Sequence, residues 1–304
     1  MSRIVQYSRY GGPEVLEIVE IVEPHAGPGQ VRVAVRAAGL NNFDAKVRRS
    51  PELLPNRALP SGQGAEFAGV VDEVGEGVSI VAVGDDVLGW SNFSAQADFV
   101  VVPAAHLASK PADLDWVTAG GLGLVGNTAE RSTRAVAPKL NETVLVSAAA
   151  GGVGLFAAQF ALAGGSIVIG TASEGNHDFL RGLGIIPIAY GPGLADRLRA
   201  VAPKGIDAVI DNAGQETVEV AIELGVDPKR INSVVYFEGA EKYGISTVGG
   251  GGKTSEDLHR LAVLVADRTI VLPIAAHFPL AEVSAAYELL ESRHLRGKIV
   301  LTVP

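Results

Sequence analysis

Residues 147–154 read Ser-Ala-Ala-Ala-Gly-Gly-Val-Gly, and they directly follow the apolar run Thr-Val-Leu-Val at residues 143–146. This pattern predicts a buried strand, a tight glycine turn and a helix that begins at about Gly152. Such a turn presents bare backbone N–H groups at the positive end of a helix dipole, where a pyrophosphate binds well. The stretch therefore predicts a dinucleotide site whose backbone contacts come from Ala150, Gly151, Gly152, Val153 and Gly154.

The surrounding sequence supports a nucleotide-binding unit, whereas the glycine turn alone is not specific. Ala149, Gly151 and Gly154 occupy the three places of the G-x-G-x-x-G fingerprint, so its first glycine is missing. Glycine-rich turns also occur without a ligand, and the motif by itself leaves that alternative open. An apolar helix over residues 153–162 and a second apolar strand over residues 166–170 follow, and together they predict a β-α-β crossover.

No charged residue occurs from Thr143 through Ser173, a length that would suffice for a membrane span. Glycine pairs and Gln159 divide this segment into short elements, however. Strands that are buried on both faces of a parallel sheet explain the segment better. We therefore expect no membrane partner.

The end of the second predicted strand bears on which dinucleotide is bound. A site selective for NAD usually places an acid there, against the ribose 2′-hydroxyl. In this chain Gly-Thr-Ala-Ser occupies residues 170–173, and the first acid is Glu174. A 2′-phosphate is not repelled by such a strand end, and Ser173, Asn176 and His177 can donate hydrogen bonds to it. The expectation is NADP, and the lack of Arg or Lys at this point leaves NAD as the alternative.

The composition excludes several classes of protein. The chain has 304 residues, of which 47% are hydrophobic and 19% charged, so it can build the cores of about two domains. The formal net charge is −9 and no basic run is longer than Arg48-Arg49, which argues against a nucleic-acid partner. No targeting signal follows Met1, so we expect a cytoplasmic protein.

The sequence predicts no metal site. It contains no cysteine, so neither disulfides nor thiolate ligands for zinc can form. No two histidines have the H-x-x-x-H spacing of a ligand pair. The six histidines are His25, His106, His177, His259, His277 and His294.

The hydrophobic pattern divides the chain into two parts. Up to about residue 120 it predicts short strands separated by glycine and proline turns, which is typical of a small barrel or sandwich. From there on, strands alternate with helices, which predicts a doubly wound α/β unit with a parallel sheet. We expect residues 249–252, four consecutive glycines, to form a flexible loop. The strands expected in the first part cover residues 31–35, 67–74, 81–88 and 98–102.

Six segments, in order along essentially the whole chain, resemble motifs of the medium-chain dehydrogenase/reductase superfamily. The similarity is greatest to its zinc-independent quinone oxidoreductase (zeta-crystallin-like) branch. The segments are GLNNFD at 39–44, GAEFAGVV at 64–71, VGDDV at 83–87, GNTA at 126–129, AAAGGVG at 148–154 and RGKIVL at 296–301.

This resemblance implies a fold and an activity. The implied fold is α/β, with a Rossmann doubly wound parallel sheet plus a GroES-like β-barrel domain. Residues 1–120 and 270–304 would form the GroES-like catalytic domain, and residues 121–269 the dinucleotide-binding domain. The implied activity is hydride transfer from NAD(P)H, commonly by a homodimer.

Zinc-dependent members of this superfamily carry metal ligands that this chain lacks. They place Cys near the position of Asn41 and His at the position of Ala65, and they have a lobe with four cysteines. A quinone or an activated C=C accepts hydride without a Lewis acid, because the negative charge delocalises onto a carbonyl oxygen. The resemblance therefore implies a zinc-free reductase.

The motifs also imply cofactor contacts, residue by residue. Asn41 and Thr128 are implied to lie near the nicotinamide and to orient it for catalysis; a turn residue and a helix hydroxyl are the structural alternatives. A core position is the alternative for Tyr190, and a surface position for Lys298. The contacts implied along the rest of the cofactor are Thr171, Ser173, His177, Tyr190, Asn212 and Lys298.

The sequence does not fix the proton donor. Lys46 is a catalytic candidate, with an ordinary exposed lysine and donation by solvent as alternatives, and Asp44 is expected to be structural. Trp90, Phe93 and Phe237 are expected either to form an apolar wall for a planar substrate or to pack in the cores.

Three functions remain open at this point. The leading hypothesis is an NADPH-dependent reductase of quinones or small enones. The second is an enoyl or polyketide-type reductase of narrow specificity. The third is a protein that binds NADPH without turnover, in the manner of a crystallin or a regulatory module.

Overall fold

Residues 1–292 and 295–304 are described by the computed structural model, and their contacts divide the chain into two units. The first unit comprises residues 1–124 and 253–304, and the second comprises residues 125–252. His294 lies outside the described residues.

Elements are numbered along the chain. The strands of the first unit are β1 Ser2–Tyr7, β2 Glu17–Ile21, β3 Gln30–Gly39, β4 Ser61–Gly62, β5 Glu66–Val74, β6 Asp86–Trp90, β7 Phe99–Pro103, β8 Leu107–Ser109, β14 Ile274–Pro279 and β15 Lys298–Thr302. Its helices are α1 Asn42–Arg49, α2 Trp116–Gly121, α9 Ser255–Ala266 and α10 Val283–Glu291, and α3 Gly123–Val136 runs from this unit into the second.

The second unit alternates strands with helices. Its strands are β9 Thr143–Val146, β10 Ile167–Thr171, β11 Ile186–Ile188, β12 Ala208–Asp211 and β13 Ile231–Ser233. Its further helices are α4 Gly152–Ala163, α5 His177–Gly182, α6 Leu194–Val201, α7 Gln215–Glu223 and α8 Glu238–Tyr243. Short 3₁₀ turns in the two units cover Pro13–Val15, Ala104–His106, Glu174–Asn176, Pro228–Arg230 and Leu280–Glu282.

The first unit is built on a seven-stranded sheet with the order β14-β15-β3-β5-β6-β8, in which β7 also pairs with β3. A small sheet, β2-β1-β4, accompanies it. The C-terminal strand returns to the N-terminal part of the chain, since β15 pairs antiparallel with β3 through Leu301 and Ala38. The core contains Val33, Phe67 and Tyr287. The predicted β unit with a returning C-terminal strand is confirmed.

Two predictions for this unit are wrong. A single strand over residues 81–88 does not form, because the chain turns at Gly84, where φ is +95°. Asp85 N donates to Ala82 O at 3.1 Å and closes that turn, so β6 begins only at Asp86. The first part is also not purely β, because α1 and α2 interrupt it.

The sheet of the second unit is parallel throughout, in the order β11-β10-β9-β12-β13. This confirms the predicted doubly wound unit. The strand order reverses between β9 and β12, and ligands of such sheets bind at the carboxyl ends of the strands at that point. The core contains Leu145, Ile169 and Val209.

The second boundary between the units lies before α9, at residue 253, and not at the expected residue 270. The reason is that α9 packs against β6 and β8 of the first unit. Its His259 Nδ1 also lies 3.0 Å from Ser109 O, at hydrogen-bond distance.

The four-glycine segment at 249–252 is held by α3, although the sequence predicts a flexible loop. Arg131 Nε donates to Gly249 O at 2.9 Å, and Asn127 Nδ2 donates to Gly250 O at 3.3 Å.

None of the helices formed by residues 1–292 and 295–304 is both long enough and apolar enough to cross a membrane.

Candidate active site

The glycine turn of the second unit has the predicted strand-turn-helix geometry. The chain leaves β9, passes through Ala148 at φ +49°, and closes with Gly151 N donating to Ala148 O at 2.9 Å. Helix α4 begins at Gly152. The N–H groups of its first turn have no acceptor within the helix, because no helical turn precedes them. The backbone from Gly151 to Val153 is partly accessible. The turn therefore offers donors and a positive dipole end to an anion.

Small residues are required in this turn. A Cβ at Gly154 would lie 2.3 Å from Ala148 O, and one at Gly151 would lie 3.3 Å from the same atom. Ala149 and Ala150 are buried beneath the turn. The close approach of helix and strand is what a pyrophosphate cradle needs, so the residues present fit a dinucleotide.

Asp211 organises the carboxyl ends of β9, β12 and β13. It is fully buried and accepts hydrogen bonds from Ser147 Oγ at 2.7 Å and from Ser233 Oγ at 2.6 Å. Ser147 Oγ accepts in turn from Asn212 N at 2.7 Å, and Asn212 Nδ2 donates to Ser147 O at 3.1 Å. The predicted contact residue Asn212 is thus fixed beside the glycine turn. Sequence reasoning missed Asp211, whose signal was an acid at the end of an otherwise apolar strand.

The residues predicted for the adenosine end follow β10. Thr171 Oγ1 accepts from Ala148 N at 3.1 Å, which ties the end of β10 to the glycine turn. Ser173 Oγ accepts from Asn176 Nδ2 at 3.1 Å, and His177 Nε2 donates to Ala172 O at 3.2 Å. These contacts bring Thr171, Ser173 and His177 together at one strand end.

Tyr190 is 48% exposed, so a core position for it is wrong. Arg197 holds its loop by donating to Ala189 O at 2.9 Å, Tyr190 O at 3.2 Å, Gly191 O at 2.8 Å and Pro192 O at 2.9 Å. The guanidinium is thus committed to carbonyl groups and positions Tyr190.

Thr128 is buried on α3 of the second unit. A Cβ at Gly250 would lie 3.1 Å from Thr128 Oγ1, so the glycine segment passes directly over this hydroxyl. The other two catalytic candidates, Asn41 and Lys46, lie in the first unit.

A buried polar cluster surrounds Asn41 in the first unit. Lys298 Nζ donates to Leu40 O at 2.7 Å, to Asn41 Oδ1 at 2.5 Å and to Glu66 Oε1 at 2.9 Å. Asn41 Nδ2 also donates to Glu66 Oε1 at 2.8 Å, while Leu124 N donates to Glu66 Oε2 at 2.7 Å. The Asn41 amide is therefore oriented from both of its ends. A surface position for Lys298 is wrong, because this side chain is buried and its three N–H groups are engaged.

Asp44 lies beneath Asn41 in the first turn of α1. Its Oδ2 accepts from Asn41 N at 3.0 Å, and its Oδ1 is buried without a hydrogen-bond partner among the described residues. Burial raises the pKa of Asp44 from 3.8 to about 7, an effect that the Lys298 charge opposes and the Glu66 charge reinforces. The Asn-x-x-Asp spacing is a helix-start signal, from which α1 could have been predicted.

Lys46 is exposed on α1, and its role as proton donor stays a prediction.

Sequence reasoning also missed Glu66, which the GAE segment already contained. Glu66 holds Asn41 in place and pairs with Lys298.

The residues around Asn41 do not fit a zinc ion. Both oxygens of Glu66, the nearest carboxylate, are taken up by Lys298, Asn41 and the backbone of Leu124. Within residues 1–292 and 295–304, no group of three or more His, Cys, Asp and Glu side chains could hold a metal.

Comparison with known proteins shows the family to which the chain belongs. Residues 27–112 match the alcohol dehydrogenase GroES-like domain, and residues 187–301 match the family described as zinc-binding dehydrogenase. The chain belongs to the medium-chain dehydrogenase/reductase superfamily, among the quinone oxidoreductases.

Particular relatives are similar over most of the chain. A quinone oxidoreductase of Pseudomonas aeruginosa is 33% identical, over 99% of this chain and 99% of its own length. A chloroplastic NADPH-dependent alkenal/one oxidoreductase of Arabidopsis thaliana is 31% identical, over 97% of this chain and 78% of its own length. The crystal structure of Escherichia coli quinone oxidoreductase complexed with NADPH superposes with a TM-score of 0.88 at 29% identity, with 100% of both chains covered.

Proposed function

We propose that the protein is an NADPH-dependent oxidoreductase that transfers hydride to quinones or to small activated alkenes such as enones, without zinc. The observation that carries this proposal is the glycine turn at the point where the parallel sheet reverses its strand order. The names of the relatives support the choice of acceptors and of cofactor.

The residues of the second unit supply the cofactor site. The N–H groups from Ala150 to Gly154 would bind the pyrophosphate, and Asn212 would border it. No acidic residue lies between the end of β10 and Glu174. Ser173 and His177 would face the ribose and its 2′-phosphate. Thr171 and Tyr190 complete this end. These features favour NADPH over NADH, because NADH selectivity normally uses an acid at that strand end.

Bound NADPH supplies the hydride, and the chain's own residues orient the nicotinamide. Asn41 and Thr128 are proposed to hold the nicotinamide. The Asn41 amide can do so in one orientation only, since Lys298 contacts its oxygen and Glu66 its nitrogen. We propose that Lys298 positions Asn41, because its N–H groups are already used within the cluster.

The zinc-free part of the proposal is supported by the same cluster. The Lys298 ammonium lies against Glu66, where a metal would need the carboxylate free. An acceptor whose negative charge spreads over a conjugated carbonyl can be reduced without a Lewis acid.

A direct test is NADPH oxidation, followed by its absorbance, with 1,4-naphthoquinone and cyclohex-2-enone as acceptors. We expect turnover with at least one of them and a higher kcat/KM with NADPH than with NADH. Stoichiometric zinc in active enzyme, or no turnover with a broad panel of quinones and enones, would contradict the proposal. Tight NADPH binding without turnover would instead favour the non-catalytic alternative, and activity confined to enoyl thioesters would favour the enoyl or polyketide-type reductase.

The expected homodimer and cytoplasmic location stay predictions. Light scattering on the purified chain measures the first, and a mass twice that of the 31.4 kDa monomer is the expected result.

A further inference from the structure

Among the described residues of the first unit, three lysine side chains are withdrawn from solvent: Lys110, Lys253 and Lys298. Lys298 is held by the Asn41 cluster. Lys110 Nζ donates to Pro111 O at 3.1 Å and to Leu114 O at 2.9 Å, and it lies 4.5 Å from the centroid of the Trp116 ring. The charges of these two lysines are thus compensated within the unit.

Lys253 differs from them. It is partly buried, and its ammonium makes no hydrogen bond or ion pair within residues 1–292 and 295–304. Its Nζ lies 6.0 Å from the centroid of the Trp90 ring, which is a distant aromatic contact. Burial lowers the pKa of Lys253 below its usual 10.5, although Glu66 and Asp44 act in the opposite direction.

The position of Lys253 at the start of a helix disfavours its positive charge, in addition to the effect of burial. It directly precedes Thr254, whose Oγ1 accepts from Asp257 N at 3.1 Å and caps α9. A cation at the N-terminus of a helix faces the positive end of the dipole and is disfavoured there. An unpaired, partly buried cation at a helix start does not stabilise the fold, and such costs are typical of functional positions.

The groups around Lys253 indicate what it faces. Trp90 and His106 stack with ring centroids 4.7 Å apart and an interplanar angle of 24°. Burial lowers the pKa of His106 below 6.5, and the Lys253 charge lowers it further, so His106 is neutral at neutral pH. The charged groups that act on Lys253 are therefore Glu66 and Asp44. Trp90, whose ring centroid lies 6.0 Å from Lys253 Nζ, pairs with Glu66 across β5 and β6. Glu66 directly contacts Asn41, the residue proposed for the nicotinamide, so Lys253 belongs to the same region of the first unit.

We propose that the Lys253 ammonium binds the carbonyl oxygen of the quinone or enone and donates to it the proton that completes the reduction. This inference rests on the proposed function and assigns the proton donor, a role for which the sequence suggested Lys46. It makes Lys253 a catalytic residue, and it specifies acceptors whose oxygen becomes an oxyanion.

The step balances as follows. Hydride brings two electrons to the acceptor carbon, and for an enone the C=C electrons move to give an enolate oxygen. One N–H bond of the ammonium breaks, an O–H bond forms on that oxygen, and neutral lysine then takes a proton from solvent. The enol formed from an enone then tautomerises to the saturated ketone. For a quinone that takes the hydride on a ring carbon, the same donation gives the keto–enol tautomer of the hydroquinone, which becomes the hydroquinone when a proton leaves that carbon and a proton from solvent reaches the second oxygen. An ammonium whose pKa is lowered by burial releases its proton more readily, which suits such a donor.

The first test needs no cofactor. The probe is 4-nitrophenol, whose phenolate absorbs visible light, so that its ionisation on the protein is read directly. A free ammonium should stabilise the bound phenolate and shift its ionisation constant by about tenfold or more toward acid pH. We expect this shift in the wild type and in Lys253→Arg, and not in Lys253→Met. An unshifted probe on the wild type, or an equal shift in Lys253→Met, overturns the inference.

The second test is kinetic. Lys253→Met should lower kcat by about 10²–10⁴-fold, the usual contribution of a general acid, and should remove the basic limb of its pH profile. Lys253→Arg keeps the charge but holds its proton too tightly, so it should restore KM for the acceptor and not kcat. The exposed Lys204→Met serves as the matched control, with unchanged kcat.

The outcomes separate the two proposals. Loss of the probe shift in Lys253→Met together with an inactive wild type would sink the proposed function and leave an oxyanion site at Lys253. An active wild type whose Lys253→Met variant keeps kcat within about threefold and the same pH profile would sink the inference alone. Circular dichroism of each variant verifies that it is folded.

Discussion

Lys298 Nζ lies 2.9 Å from Glu66 Oε1, and the two side chains are only 4% and 2% exposed. They come from β15 and β5, which are separated by more than two hundred residues of chain. Because Asn41 contacts both, this ion pair connects the C-terminal strand to the residue proposed to hold the nicotinamide.

Removal of one partner of this pair should be strongly destabilising. Lys298→Met leaves the Glu66 carboxylate buried without its counter-charge, and we expect a loss of about 3–5 kcal/mol in the free energy of unfolding. Urea denaturation measures this loss. The double variant Lys298→Met, Glu66→Gln removes both charges and should be more stable than Lys298→Met alone.

An exposed ion pair provides the control for that prediction. Lys242 and Glu219 pair at 2.8 Å with both side chains well exposed, and Lys242→Met should leave the denaturation midpoint nearly unchanged. Equal losses in Lys298→Met and Lys242→Met would show that burial of the Lys298–Glu66 pair has no energetic consequence.

Gly154→Ala should disrupt the cofactor site. The added Cβ would approach Ala148 O to 2.3 Å, a backbone atom that cannot move without displacing the turn. We expect NADPH affinity, measured by calorimetry, to fall at least about tenfold, which is 1.4 kcal/mol. The matched control is Gly182→Ala at the end of α5, where a Cβ meets no atom within 4 Å. NADPH affinities that are equal in the two variants would contradict a pyrophosphate site at this turn.

The sequence predicted the second unit well because its local signals agree with its tertiary structure. The apolar runs and glycines around residues 143–171 specify a strand, a turn and a helix by themselves, and the observed β9, α4 and β10 follow them closely. Strand β13 ends at Ser233, where Ser233 Oγ accepts from Tyr236 N at 2.9 Å and the chain turns.

The Asn41 cluster was less predictable because it is assembled from distant segments. Nothing near Lys298 in the sequence indicates burial, and only the pairing of β15 with β3 brings it to Asn41. Lys253 was missed because its local sequence was misleading. It follows a glycine run that suggested a flexible loop, and only the folded structure shows that its ammonium makes no hydrogen bond or ion pair among the described residues.

An acid at the end of β10 should reverse the expected cofactor preference. Ser173→Asp places a negative charge where the 2′-phosphate of NADPH would lie, so NADPH affinity should fall by about 10- to 100-fold while NADH affinity is kept. Ser173→Asn, which has nearly the same shape without the charge, is the control and should retain most of the NADPH affinity. Equal effects of Ser173→Asp on both cofactors would place the 2′-phosphate elsewhere.

Asp44 should make the stability of the folded chain depend on pH. Its folded pKa of about 7 lies above the ordinary 3.8, so the folded state binds the proton more tightly than the unfolded chain does. The stabilisation by that proton is fully present below pH 3.8 and is lost as the pH rises through about 7. The difference between the two pKa values corresponds to about 4 kcal/mol.

Asp44→Asn, which cannot titrate, isolates this effect. Relative to the variant, the wild type should gain stability as the pH falls from 8 to 4, by up to about 4 kcal/mol in urea denaturation. The pH dependence of stability in the wild type is compared with that in the variant because other carboxylates titrate in the same range in both proteins. Parallel pH profiles for the wild type and Asp44→Asn would mean that Asp44 is ionised in the folded protein throughout, with the Lys298 charge outweighing the cost of burial.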